Sequence, residues 1–230
     1  MIVPALLATT FEEFQTQFNK VQSFAPYLHI DVMDGKFVPN TSFQEIDRLK
    51  ELKTDLRFEL HLMVNDPIGE MRKWQTIENV FRVLFHIEAP TDPLRTLTFM
   101  KKEGWERGMV LNPETPLNTV EKFLDKLDVL QFMTVHPGRQ GAPFQKEILF
   151  KIEQFIKSRD SLDEFTELRQ TPAPLCAADG AVNKDTIPQL RKAGVEIFNV
   201  GSALTQSENV LKTYEELQLS LRGGTTKQSP

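Results

Sequence analysis

Two short segments each pair a histidine with chemically capable neighbours at a spacing of two. In 27–33, strand alternation puts Tyr27, His29, Asp31 and Met33 on one face and Leu28, Ile30 and Val32 on the other. In 58–64, Glu59, His61 and Met63 share a face while the even positions are wholly apolar. Imidazole nitrogens and carboxylate oxygens are the usual ligands of divalent metals, so His29, Asp31 and His61 together suit such an ion. Either histidine alone reads more simply as a hydrogen-bonded core residue, and the repetition is what points to a site. Glu59 reads as an inward polar partner of that set and not as a ligand. Asp34 stands at odd spacing from Asp31, in the turn that ends the strand, and takes a structural role.

Such a face needs a scaffold that aims it inward. β-rich runs at 2–7, 27–33, 56–63, 81–87, 107–112, 128–135, 174–178 and 196–200 alternate with helical patterns near 11–24, 43–53, 68–76, 91–103, 115–125, 144–158, 184–193 and 207–221. Eight β/α units with right-handed crossovers close most naturally into an α/β fold of the (β/α)8 TIM-barrel type. We expect one barrel domain over 1–221 and a flexible tail over 222–230, which lacks apolar periodicity. A doubly wound open sheet is the second choice. It loses its best cue because no Gly-x-Gly-x-x-Gly follows the first strand, where Thr9 or Thr10 caps a helix instead. The charged stretch 159–173 reads as an extension of the sixth helix and its loop.

A barrel of this kind carries its active site at the C-terminal ends of the strands. All four histidines are expected there: His29 and His61 within strands, His86 and His136 at strand ends. Asp179 follows the seventh strand, and Met33, Met63 and Met133 occupy equivalent places as a soft, water-excluding rim. Small residues cluster after the last two strands, in Asp179-Gly180-Ala181 and Gly201-Ser202-Ala203. Exposed backbone amides in such turns form the common phosphate site of these barrels, and the segment Gly138-Arg139-Gln140-Gly141 closes over the same place.

Composition narrows the partners. The chain has 230 residues, 40% of them hydrophobic, and a net charge of −5 with interspersed signs. There is no basic stripe for nucleic acid and no polybasic membrane anchor. One cysteine, Cys176, excludes an internal disulfide, and no apolar run is long enough for a membrane span or signal peptide, so a cytoplasmic location is expected. Barrels often associate through helix faces, which leaves a homo-oligomer open, although no apolar patch stands out.

Taken in order, the motifs resemble those of the ribulose-phosphate 3-epimerase family from Pro4 to Leu204. The matching words are His29-Ile-Asp-Val-Met-Asp-Gly-Lys-Phe-Val-Pro-Asn40, His61-Leu-Met-Val64, Phe85-His86-Ile-Glu-Ala89, Leu111-Asn-Pro-Glu-Thr-Pro116, Met133-Thr-Val-His-Pro-Gly138, Asp179-Gly180 and Gly201-Ser202-Ala203. The resemblance implies a ribulose-phosphate-binding barrel with one divalent metal per chain, zinc, iron or manganese, at His29, Asp31, His61 and Asp179. It implies Asp31 as proton acceptor and Asp179 as proton donor in a 3-epimerisation through a cis-enediolate, in the pentose phosphate pathway. It also implies a small phosphorylated sugar held by His61, Gly138, Arg139, Gln140, Gly141, Gly180, Ala181, Gly201 and Ser202. Departures from the family pattern fall on substrate-handling loops: Pro4-Ala5 where Pro-Ser is usual, Arg139-Gln140 in the sixth loop, and Ala181 where a second glycine is usual. Ala5 therefore lines the pocket without a hydroxyl, and a ketohexose 6-phosphate or a non-catalytic sugar-phosphate barrel are the alternatives. Decarboxylases and aldol synthases that share this barrel place a lysine between strand-end acids, and Asp31-Val-Met-Asp34 has none.

Overall fold

The computed structural model describes residues 1–138, 141–163 and 172–222. Among these, eight parallel strands close in sequence order: β1 (Ile2–Leu6), β2 (Tyr27–Met33), β3 (Arg57–Met63), β4 (Val80–His86), β5 (Glu106–Leu111), β6 (Val129–Met133), β7 (Leu175–Asp179) and β8 (Ile197–Val200). β8 pairs back onto β1 with Val3 opposite Asn199. Helices α1 (Phe11–Val21), α2 (Pro67–Trp74), α3 (Pro93–Lys102), α4 (Ile148–Asp163), α5 (Ile187–Ala193) and α7 (Val210–Arg222) surround the barrel, with a one-turn α6 (Ser202–Thr205) after β8. The strand expectations hold to within two residues at every end.

Alternation sorts each strand into two faces. Leu28, Ile30 and Val32 of β2 and Phe58, Leu60 and Leu62 of β3 point outward into one large core with Phe14, Phe18, Met71 and Trp74 of the helices. The barrel interior is a separate cluster of Val3, Leu84, Val110, Val129, Met133, Ala177 and Ile197. Gly108 is needed there, because a Cβ at that position would sit 1.8 Å from Leu84 Cδ2. Helix starts follow local chemistry. Thr10 accepts from the Glu13 amide and the Thr9 amide donates to the Glu13 carboxylate, while Asp66 and Asp92 cap helices that begin with proline.

Two expected helices are shorter and tighter than their patterns suggested. The 43–53 stretch yields a 3-10 turn at Ile46–Glu51, and 115–125 yields two, Leu117–Thr119 and Glu121–Lys126. In the first case Ser42 and Phe43 are tied by their amides to Met33 and Ala8, so few residues are left to wind before β3. In the second, Thr115 is held by Glu88 and its carbonyl by Lys151, which fixes the entry to the turn. α4 extends to Asp163, in keeping with a lengthened sixth helix; the expected loop beyond it and the tail at 223–230 lie outside the described residues.

Candidate active site

Inward positions on β2, β3 and β7 bring His29, Asp31, His61 and Asp179 to one point, where a ligand-capable atom of each lies within 4.8 Å of the other three. His61 Nδ1 is 2.8 Å from Asp31 Oδ1 and 3.3 Å from Asp179 Oδ2; His29 Nε2 is 3.5 Å and 3.8 Å from the same two oxygens. Both histidines are fully buried.

The remaining ring nitrogens are committed elsewhere. His29 Nδ1 lies 2.6 Å from Glu59 Oε1, and the other oxygen of Glu59 accepts from the Arg82 guanidinium at 2.6 Å. Arg82 reaches on to Glu106. Burial alone would raise the Glu59 carboxyl, but His29 and Arg82 hold it down at about 2, so it is an anion that accepts from Nδ1–H. On the other side, His61 Nε2 meets His86 Nε2 at 3.0 Å, and His86 Nδ1 lies 3.2 Å from Glu88, which also accepts from the Asn112 amide and the Thr115 hydroxyl. Burial holds His86 down to about 4, so it is neutral and can accept from His61.

These tautomers leave His29 Nε2 and His61 Nδ1 as lone pairs aimed at two carboxylates. His29 Nε2 is buried without a well-formed hydrogen-bond partner. An orphaned buried group of this kind costs about 1–3 kcal/mol, and a cation bound to the lone pair removes that cost. Burial opposes protonation of both histidines, yet the surrounding carboxylates outweigh it and raise both. Burial likewise opposes a negative Asp31, but with the facing nitrogens of His29 and His61 protonated in place of a metal, the two rings pull it far below the usual carboxylate range. The cluster demands positive charge, from protons or from a metal, and its two nitrogens and two carboxylates match the donors of zinc, iron or manganese.

Above the cluster lies a pocket lined by Ala5, Asp31, Met33, Met63, Met133 and Asp179, and also by Gly138, Gly141, Gly180, Ala181, Gly201 and Ser202. Met33 and Met63 pack with Val38, Leu7 and Phe37, whereas Met133 belongs to the barrel interior. Arg139 and Gln140 lie outside the described residues. One expectation fails: His136 does not join the opening. Its side chain is 67% exposed and faces Glu114: β6 ends at Met133, and in the loop that follows Val135 and Pro137 line the pocket while His136 between them points away from it. Two buried polar residues, Arg82 and Gln131, escape a reading centred on histidines and strand ends. Each stands on the inward face of its strand, two residues from another inward residue, so the same alternation would have found them.

The model of the ribulose-phosphate 3 epimerase family matches residues 1–205. The chain belongs to this family. The ribulose-phosphate 3-epimerase of Bacillus subtilis (strain 168) is 31% identical over 221 residues, which cover 94% of this chain and 97% of that one. That of Mycobacterium leprae (strain TN) is 33% identical over 208 residues, 89% of this chain and 87% of the relative. Among solved structures, 3-hexulose-6-phosphate synthase from Salmonella typhimurium superposes with a TM-score of 0.63 at 18% identity over 96% of this chain and 98% of that one. KGPDC from Streptococcus mutans gives 0.66 at 14% identity over 96% of each. Identities this low speak to the barrel alone. As a member of the ribulose-phosphate 3-epimerase family the protein is an isomerase acting on carbohydrates, a sugar-phosphate epimerase, with a His/Asp cluster able to hold a divalent metal.

Proposed function

We propose that the protein is a metal-dependent 3-epimerase that interconverts D-ribulose 5-phosphate and D-xylulose 5-phosphate. The observation that carries this reading is the pair of carboxylates, Asp31 from β2 and Asp179 from β7, that meet over two imidazoles at the floor of one pocket. Inverting a carbon beside a ketone requires a proton to leave one face and another to arrive at the opposite face, so two acids on different strands suit the task. Asp31, held anionic by His29 and His61, takes the C3 proton in the forward direction, and Asp179 delivers one to the other face. A divalent cation held by His29, Asp31, His61 and Asp179 would act as a Lewis acid on the negative charge of the cis-enediolate.

The rest of the chain orients the sugar and excludes water. In this reading amides around Gly138, Gly141, Gly180, Ala181, Gly201 and Ser202, all in the pocket lining, hold the phosphate away from the reacting carbon. Met33 and Met63 line the same pocket as the two acids and give it apolar surface. A ketohexose 6-phosphate is the second substrate class, favoured by the small Ala5 in the pocket wall.

Incubation of the metal-loaded protein with D-ribulose 5-phosphate in heavy water should yield D-xylulose 5-phosphate carrying deuterium at C3. Fully loaded protein that gives neither epimer nor exchange with either sugar class would overturn the proposal.

A further inference from the structure

Two buried amides inside the barrel have no part in the chemistry above. Gln131 on β6 is 0% exposed and Asn199 on β8 is 1% exposed. Asn199 stands in register with Asp179 on β7, so the two side chains share the inner face of neighbouring strands. Asn199 Nδ2 donates to Gln131 Oε1 at 2.8 Å, and Gln131 Nε2 in turn points to Met133 Sδ at 3.9 Å. This direction of hydrogen bonding spends the donor side of Asn199 on its neighbour and leaves Oδ1 buried with no partner. Asn199 also lines the pocket that Asp31 and Asp179 share.

A buried carbonyl left unpaired beside a catalytic acid is a site for a donor. That donor is a neutral hydroxyl, because the negative end of a carbonyl repels a phosphate. The amides proposed for the phosphate lie further along the chain, at Gly180 and Gly201, whereas Asn199 lies level with Asp179. On its other side β1 sets Val3 opposite Asn199 and Ala5 further along the strand in the pocket lining, neither with a hydrogen-bonding side chain, so towards β1 the amide is the polar group of this wall.

We infer that Asn199 is a specificity-determining residue whose Oδ1 accepts a hydrogen bond from the C1 or the C4 hydroxyl of the sugar, to either side of the reacting C2–C3 unit, with Gln131 as the positioning residue that fixes the amide. The inference rests on the epimerase reading and extends it to the substrate's flank. A site built around a buried acceptor rejects an analogue that lacks the donor, because the acceptor is then left unpaired.

The test crosses a residue deletion with a substrate deletion. Wild-type protein, Asn199→Leu and Gln131→Leu/Asn199→Leu are loaded with metal and assayed on D-ribulose 5-phosphate and on its 1-deoxy and 4-deoxy analogues. The double variant leaves neither amide unpaired, and serves if the single variant does not fold. Metal content should equal that of wild type. Loss of Asn199 should lower kcat/KM on the parent sugar roughly tenfold or more, chiefly through KM, and change it little on one deoxy analogue. Which analogue is insensitive identifies the hydroxyl. Equal losses on all three sugars, or none on the parent, overturn the inference while the epimerase reading stands. Wild-type protein inactive on every ketose phosphate in the exchange assay overturns both.

Discussion

His29 has one nitrogen for Glu59 and one for the pocket, and the division decides what the ring can bind. Because Glu59 is anchored by Arg82, it presents an acceptor and enforces the Nδ1–H tautomer, which leaves Nε2 as a lone pair. A glutamine at this position can turn its NH2 toward the ring and favour the opposite tautomer. Glu59→Gln should therefore weaken metal affinity by roughly 10–100-fold while the barrel still folds, as read by competition with a chelator, and Glu59→Asp should recover part of the loss. Unchanged affinity in Glu59→Gln would show that the carboxylate only fills space. His86 and Glu88 impose the matching constraint on His61 from the other side.

Among the elements, the loop after β7 shows how closely backbone is packed around the pocket. Gly180 has φ +101°, and a Cβ there would lie 2.4 Å from Val135 Cγ2 and 3.2 Å from the Val135 amide. The next residue, Ala181, is held at φ 47°, a left-handed conformation that L-residues avoid, with its carbonyl pinned by the Asn183 side-chain amide and the Thr186 hydroxyl. The loop is thus shaped by tertiary contacts against the preference of one of its own residues. Gly180→Ala should cost on the order of 1–3 kcal/mol of stability by chemical denaturation and raise KM more than tenfold, since the 135 and 180 segments must both move. A variant with wild-type KM would exclude a role for this turn in holding the sugar. Strand alternation made the inward and outward faces legible at β2, β3 and β7, where period two is strict. It did not tell α-helix from 3-10 turn at 46–51 and 117–126, because there the ties to Met33, Ala8 and Glu88 set the geometry, not periodicity.

For the barrel as one body, the buried charges make stability depend on pH in a way that metal reverses. Without metal, His29 and His61 sit above their ordinary value of 6.5, so their contribution is complete below that value and is lost as pH rises through the raised values. Asp31 and Glu59 sit below their ordinary 3.8 and 4.5, so theirs is present above those values and is lost as pH falls through the lowered ones. Chelator-treated protein should therefore be most stable in mild acid, with a Tm that falls as pH rises past neutrality. Metal binds the deprotonated rings, so the Tm gained on adding zinc should grow over the same range. A chelated Tm that climbs from pH 6 to 9 would contradict the charge arrangement described for the cluster. No helix among the described residues is long and apolar enough to cross a membrane.

The order of residues was enough to set the eight-fold alternation of strand and helix, the inward faces of β2 and β3, and the residue types that meet at the strand ends. Those follow from local rules, a period of two in strands and turn chemistry between them, and need no knowledge of neighbours. Folding in three dimensions had to settle that His136 leaves the site, that Arg82 and Glu59 fix one histidine while His86 and Glu88 fix the other, and that Asn199 keeps an unpaired carbonyl beside Asp179. Each of these depends on at least one partner distant along the chain, as His86 is from His61, and hydrogen-bond direction there is set by all neighbours at once.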